Sequence, residues 1–148
     1  VGSKVVIIGG GGVGLEAAIH LKDLGKDVAV IEMLDSEKHR TALHKSSKNA
    51  GGEMLTIMEE KKIPLHLNNR LEEVCDDKVI CRDMVTGALV EYPCDTVLLA
   101  LGMVPLCDVV AELRHCAAET EVFIVGDALA VGNISTATNS GFQAGIHI

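Results

Sequence analysis

"VVIIGGGGVGLE", residues 5–16, decides the fold. Four β-branched residues run into four consecutive glycines, a valine, a fifth glycine at 14 and, two residues later, Glu16. With its uninterrupted apolar run over 5–8, the segment 4–8 reads as a strand covered on both faces. From Val13 to Leu24 the spacing is helical, with Ala17, Leu21 and Leu24 on one face, Ala18 beside them and Gly25 as the stop. A strand, a glycine turn and a helix therefore follow one another, and the glycines fall as Gly9-x-Gly11-x-x-Gly14.

That pattern assigns each glycine a physical task. Gly9 makes the tight turn off the strand, Gly11 lets main chain approach a pyrophosphate with no Cβ in the way, and Gly14 lets the helix pack closely on the sheet. The unpaired N–H groups and the positive dipole end of the helix then face the phosphates. The bland alternative is a glycine-rich turn that binds nothing. Against it stands Glu32, which ends the second apolar strand, "DVAVIE" (27–32), 18 positions beyond Gly14. A carboxylate there accepts hydrogen bonds from the adenosine ribose hydroxyls and repels a 2′-phosphate, which favours NADH over NADPH. Lys38, His39 and Arg40 keep NADPH open, because a basic cluster there can fold back over such a phosphate.

Farther along, 35–52 is polar and closed by "GG", and reads as a loop with a short helical turn. Residues 53–62 read as an amphipathic helix with Met54, Leu55 and Met58 on its apolar side, and "IPLHL" (63–67) as a third strand. Breaks at Asp76–Asp77, Thr86–Gly87 and Pro93 then divide the chain into short strands, as in an antiparallel meander. An apolar strand over 96–101, a helix over 108–114, a last strand in "EVFIVGD" (121–127) and a closing helical segment from Ile134 complete the reading. The expected fold is α/β, a Rossmann-like parallel sheet with an antiparallel β-meander crossover.

Composition bounds the function. The 148 residues are 48% hydrophobic but only 2% aromatic, so the core is built from Val, Ile, Leu, Ala and Met. A formal net charge of −8 argues against nucleic acid or an acidic membrane surface as partner. No apolar run approaches the roughly 18 residues of a membrane span. Five cysteines with no CxxC spacing read as reduced thiols filling apolar space, which implies a cytoplasmic protein. The six histidines form no HxxxH or HxH pair, so no metal site is expected.

"GGGGVGLE", the meander and "LALGMVP" (99–105) together resemble the FAD-dependent pyridine nucleotide–disulfide oxidoreductase superfamily at its second nucleotide site. The resemblance implies that Glu16 lies near the nicotinamide end of the coenzyme. It also implies that Ala100, Leu101 and Gly102, from the Ala-x-Gly-x-x-Pro segment, line the nicotinamide site. Gly12, Val13 and Met33 complete the candidate coenzyme set beside Gly9, Gly11, Gly14 and Glu32. "VFIVGDALAVGNISTATNSGFQAGIHI" (122–148) is similar to the segment that finishes the FAD site in that superfamily, which maps to Gly126 and Asp127.

The resemblance implies two parts: residues 1–115 as an NAD(P)H-binding domain, and 121–148 as the returning strand and helix of an incomplete FAD domain. The chain then reads as an excised piece of a longer flavoprotein. With no redox cysteine pair here, the disulfide-reducing branch is the weaker alternative. The whole looks most like NADH:flavin oxidoreductases of the enoate reductase and 2,4-dienoyl-CoA reductase type. There NADH reduces FAD, and electrons pass through an iron–sulfur cluster to FMN in a barrel that reduces an activated C=C bond. FAD, and the FMN and iron–sulfur barrel, are accordingly expected in the parent protein. No catalytic side chain is assigned, because the cofactors carry the chemistry. A non-enzymatic NADH-sensing module is the other alternative. Apolar surface around the last strand and helix is expected to make the fragment dimerise, or to leave residues after about 120 poorly ordered.

Overall fold

The structure is a computed structural model that describes residues 1–47, 50–116 and 119–148, with side chains described outside 45–50. It divides into two compact units, Val1–Gly102 and Met103–Ile148.

In the first unit the chain runs β1 (Lys4–Ile8), α1 (Gly12–Asp23), β2 (Asp27–Ile31), α2 (Ser36–Ser47), α3 (Ala50–Glu60) and β3 (Leu65–His66). It continues through β4 (Asn69–Val74), β5 (Lys78–Asp83), β6 (Leu89–Pro93) and β7 (Thr96–Leu99). Strands β3-β2-β1-β7 form one parallel sheet, and β4-β5-β6 a separate antiparallel one. The meander is thus an excursion: the chain leaves at one edge of the parallel sheet and returns as β7 on the far side of β1.

The apolar run of β1 has a direct structural cause. Val5 and Ile7 point into a core shared with Val28 and Val30 of β2, Leu15, Ala18 and Leu21 of α1, Leu43 of α2, and Met54 and Met58 of α3. Val6 and Ile8 point the opposite way, into a core with Ile31, Val79, Cys81 and Cys94. Helices cover one face of the sheet and the meander covers the other, so every residue of the strand after Lys4 is buried. Burying each such aliphatic side chain contributes about 1.5–3 kcal/mol. Burial pushes the Cys81 thiol up to about 11 and raises that of Cys94, so both stay protonated and serve as apolar filler.

The stop after α1 is a Schellman turn. Gly25 sits at φ +78°, its N–H donates to the Lys22 carbonyl, and the Lys26 N–H donates to that of Leu21. On the opposite side, the Asp95 carboxylate accepts from the N–H groups of Ser3 (2.8 Å) and Lys4 (3.0 Å) and anchors the start of β1.

The expected loop over 35–52 is overturned over 36–47 and 50–52, which are helical; residues 48–49 lie outside the described residues. Asp35 caps α2, its carboxylate accepting from the Lys38 N–H at 2.9 Å. The "GG" that suggested a break marks a close helix contact instead. A Cβ on buried Gly51 would lie 3.0 Å from Leu43 Cβ.

The second unit holds α4 (Cys107–Cys116), a 3₁₀ turn at Gly126–Ala128 and α5 (Ile134–Gly145). A capping box opens α5: Thr136 N–H donates to Asn133 Oδ1 at 3.0 Å, and Asn133 N–H to Thr136 Oγ1 at 2.9 Å. The strand expected in 121–127 does not form. Val125 has extended backbone (φ −134°, ψ 163°), but a strand needs a hydrogen-bonding neighbour, and the described residues of 103–148 supply none. None of those described residues is buried.

Candidate functional site

Strand order reverses at β1, with β2 and β3 on one side and β7 on the other. The carboxyl ends of β1 and β7 therefore flank a topological switch point, where open α/β sheets place their ligands. Three segments leave the sheet along this edge: 9–11 after β1, 32–35 after β2 and 100–102 after β7. The sequence-predicted residues Gly9, Gly11, Gly12, Val13, Gly14, Glu32, Met33, Ala100, Leu101 and Gly102 all lie in these segments or in the first turn of α1. Glu16 is the fifth residue of α1, just past the first turn, and is exposed. Gly126 and Asp127 belong to the second unit.

The glycines of the turn are not equivalent. Gly9 has φ +108°, and a Cβ there would collide with the backbone oxygen of Ala100. On Gly14 a Cβ would collide with the backbone oxygen of Gly9, so the helix can sit this close to the strand only without one. Both are demanded by the fold. Gly11 is different: its backbone is ordinary (φ −70°, ψ 176°), and an added Cβ would meet no protein atom within 4 Å. Neither conformation nor packing requires glycine there. Gly11 is the N-cap of α1, and no side chain caps it. The first-turn N–H groups, which a helix cannot satisfy internally, thus open onto space that the sequence leaves clear.

Beside this mouth lies Glu32, immediately after β2. Its Oε2 accepts from the Gly10 N–H at 2.8 Å and its Oε1 from the Leu34 N–H at 2.9 Å. Each oxygen is left with a further acceptor site, since a carboxylate offers about four. Of the basic trio, Lys38 pairs with Asp35 at 2.9 Å. That lysine's backbone N–H first, then its ammonium, holds the Asp35 carboxyl below its usual range. His39 is 3% exposed, with Nε2 2.6 Å from the Gly10 carbonyl oxygen. Two of the three side chains are thus already engaged within the first unit. Sequence reading placed His39 only in a basic cluster over a 2′-phosphate and missed its buried contact with Gly10, because it stood within a presumed loop. The signal was there: His39 and Leu43 are four apart on one helix face, and both are buried.

Val13, Met33 and Leu101 leave 73%, 58% and 68% of their surface exposed, giving the edge an apolar rim. In the second unit, Gly126 N–H donates to Ser140 Oγ at 2.8 Å, and Asp127 Oδ1 accepts from Gly132 N–H at 3.2 Å. No group of three or more His, Cys, Asp or Glu side chains is placed to hold a metal among the described residues. No helix among them is long and apolar enough to cross a membrane.

Comparison with known proteins agrees with this architecture. The chain is 28% identical over its whole length to cinnamate reductase of Clostridium sporogenes, spanning 21% of that protein. It is 28% identical over 95% of its length to bilirubin reductase of Mediterraneibacter gnavus, again spanning 21%. Among solved structures, a 2-naphthoyl-CoA reductase superposes on all of the chain with a TM-score of 0.76 at 26% identity, the chain covering 21% of it. The chain therefore spans about a fifth of the length of these relatives. Residues 1–144 match the family of pyridine nucleotide-disulphide oxidoreductases, to which this chain belongs.

Proposed function

We propose that the first unit binds NADH and presents it to a flavin, as the coenzyme-holding part of an FAD-dependent oxidoreductase. One observation carries this reading: Gly11, at the uncapped mouth of α1, is a glycine that the fold does not need. A main chain stripped of side chains there fits a diphosphate, which the first-turn N–H groups and the helix dipole would hold. Glu32, held by two backbone N–H groups, would accept from the adenosine ribose hydroxyls and reject a 2′-phosphate. Ala100–Gly102, with the apolar rim of Val13, Met33 and Leu101, would flank the nicotinamide, and Glu16 would stand behind it. Bound nicotinamide and flavin would supply the hydride transfer itself, so the chain's task is to position and to exclude water.

Residues 121–148, with Gly126 and Asp127, serve in this reading as the returning part of the FAD domain, and residues 1–115 as the coenzyme domain. The relatives favour the enoate reductase type. Cinnamate carries an activated C=C bond, and its reductase aligns with this chain from end to end. In such a protein the chain's partners would be its own FAD domain and a barrel carrying FMN and an iron–sulfur cluster.

Calorimetric titration with NADH and NADPH tests the reading. Gly11→Val should abolish NADH binding while costing at most about 1 kcal/mol of stability, since only the cap is worsened. Glu32→Ala should weaken NADH by about 1–2 kcal/mol, the worth of charge-assisted hydrogen bonds, and narrow the gap to NADPH. NADH affinity that survives Gly11→Val would remove the proposal.

A further inference from the structure

The second of the four consecutive glycines, Gly10, occupies a free position of the G-x-G-x-x-G pattern, yet a side chain there would crowd its neighbours. A Cβ on Gly10 would lie 3.0 Å from His39 Nε2, 3.2 Å from Glu32 Cβ and 3.3 Å from Glu32 Oε2. The residue is gripped from two sides. Its N–H donates to Glu32 Oε2 at 2.8 Å, and its carbonyl oxygen lies 2.6 Å from His39 Nε2. A carbonyl oxygen can only accept, so Nε2 must carry the proton and donate. The ring that does so is 3% exposed and rides on α2, whose Asp35 cap and buried Leu43 fix the helix in place.

We infer that His39 is a specificity-determining positioning residue: by fixing the Gly10 carbonyl it sets the orientation of the Glu32 carboxylate, and so the preference for NADH over NADPH. The inference rests on the coenzyme site proposed above. His39 touches neither coenzyme nor reacting atoms and acts through Gly10. Without its hydrogen bond Gly10 is no longer clamped from both sides. The Gly10–Gly11 peptide can rotate, the Gly10 Cα shifts with it, and the N–H of the adjoining Gly9–Gly10 peptide moves away from Glu32 Oε2, so that the carboxylate is held by the Leu34 N–H alone. A carboxylate free to swing then loses both its grip on ribose hydroxyls and its repulsion of a 2′-phosphate. The basic neighbours do not substitute for this control, since Lys38 is turned to Asp35.

The test compares NADH and NADPH affinities by calorimetry in wild type, His39→Leu, His39→Gln and Glu32→Ala. His39→Leu should cut the NADH/NADPH preference by about tenfold, the effect of losing one well-placed hydrogen bond. His39→Gln keeps an N–H donor at the Nε2 position and should restore the preference, which a merely space-filling role would not require. If Glu32→Ala erases the preference while His39→Leu retains it, this inference falls and the coenzyme site stands. If wild type binds neither coenzyme, the site and the inference fall together. Should His39→Leu not fold, nitrogen NMR of the wild-type imidazole decides. A protonated Nε2 whose resonance shifts on adding NADH supports the role, and a bare Nε2 overturns it.

Discussion

Residues 1–102 and 103–148 are made of comparably apolar stretches, yet the two units use them in opposite ways. In the first, β1 and β2 send alternate residues into two cores, one roofed by helices and one by the meander. In the second, Leu106, Leu113, Ile134 and Phe142 each leave more than half of their surface exposed. Apolar content alone does not build a core. A strand becomes an interior when something covers each face, and the described residues of this unit, two helices and one 3₁₀ turn among them, provide no such sandwich for 121–125.

The comparison can be broken most directly at its strongest point. Ile7 has no exposed surface, and Ile7→Ala should lower the stability of the first unit by about 4 kcal/mol, transfer loss and cavity together. Tyr92, the only tyrosine in a chain without tryptophan, packs on the meander-side core, so its fluorescence in a urea titration reports this unit. A loss below about 1 kcal/mol would mean that the two-sided core is not what holds the unit.

A smaller effect tests the anchor of β1. Backbone N–H groups, chiefly that of Lys4, hold the Asp95 carboxyl down to about 2 from its ordinary 3.8. A depressed acid stabilises the folded state above its unfolded value. That contribution is complete above about pH 4 and fades as pH falls through 2. Asp95→Asn should therefore flatten the acid limb of the urea midpoint between pH 4 and 2; an unchanged limb would refute the linkage. The least effect is expected in the second unit. Leu113 is 63% exposed, and Leu113→Ala should move the helix signal of a thermal melt by less than about 0.5 kcal/mol.

How much of this was legible in the sequence follows the same divide. β1, α1, β2 and the meander could be read because local pattern and tertiary role agree there: apolar runs for two-faced burial, Gly25 for a Schellman stop, Asp76–Asp77 and Thr86–Gly87 for turns. Helix α2 was misread because its buried contacts reduce, among the described side chains, to Leu43 and a histidine, leaving a polar segment without a stripe. The "GG" at 51–52 added to the error, for glycine at a helix contact and glycine at a break look alike in one dimension. The strand in 121–127 failed for the reverse reason: its local pattern is strong, but pairing is not a local property. At the site, the glycine spacing and Glu32 could be read from motif logic, whereas the grip of His39 on Gly10 joins residues 29 apart and only the folded chain reveals it.

The two hairpin bends of the meander lie at opposite ends of the molecule's first unit. Residue 77 meets the base of the sheet, its carbonyl accepting from the Cys94 N–H, whereas Met84 N–H donates to Asn68 O next to Asn69, which in turn bonds the Glu32 carbonyl. Extra peptide spliced in at exposed Asp76 would hang from the far end and leave the proposed coenzyme site untouched. The same splice at 85–87 would tug on Glu32, the carboxylate proposed to read the ribose. Any tag, label or fusion partner therefore belongs at the first bend.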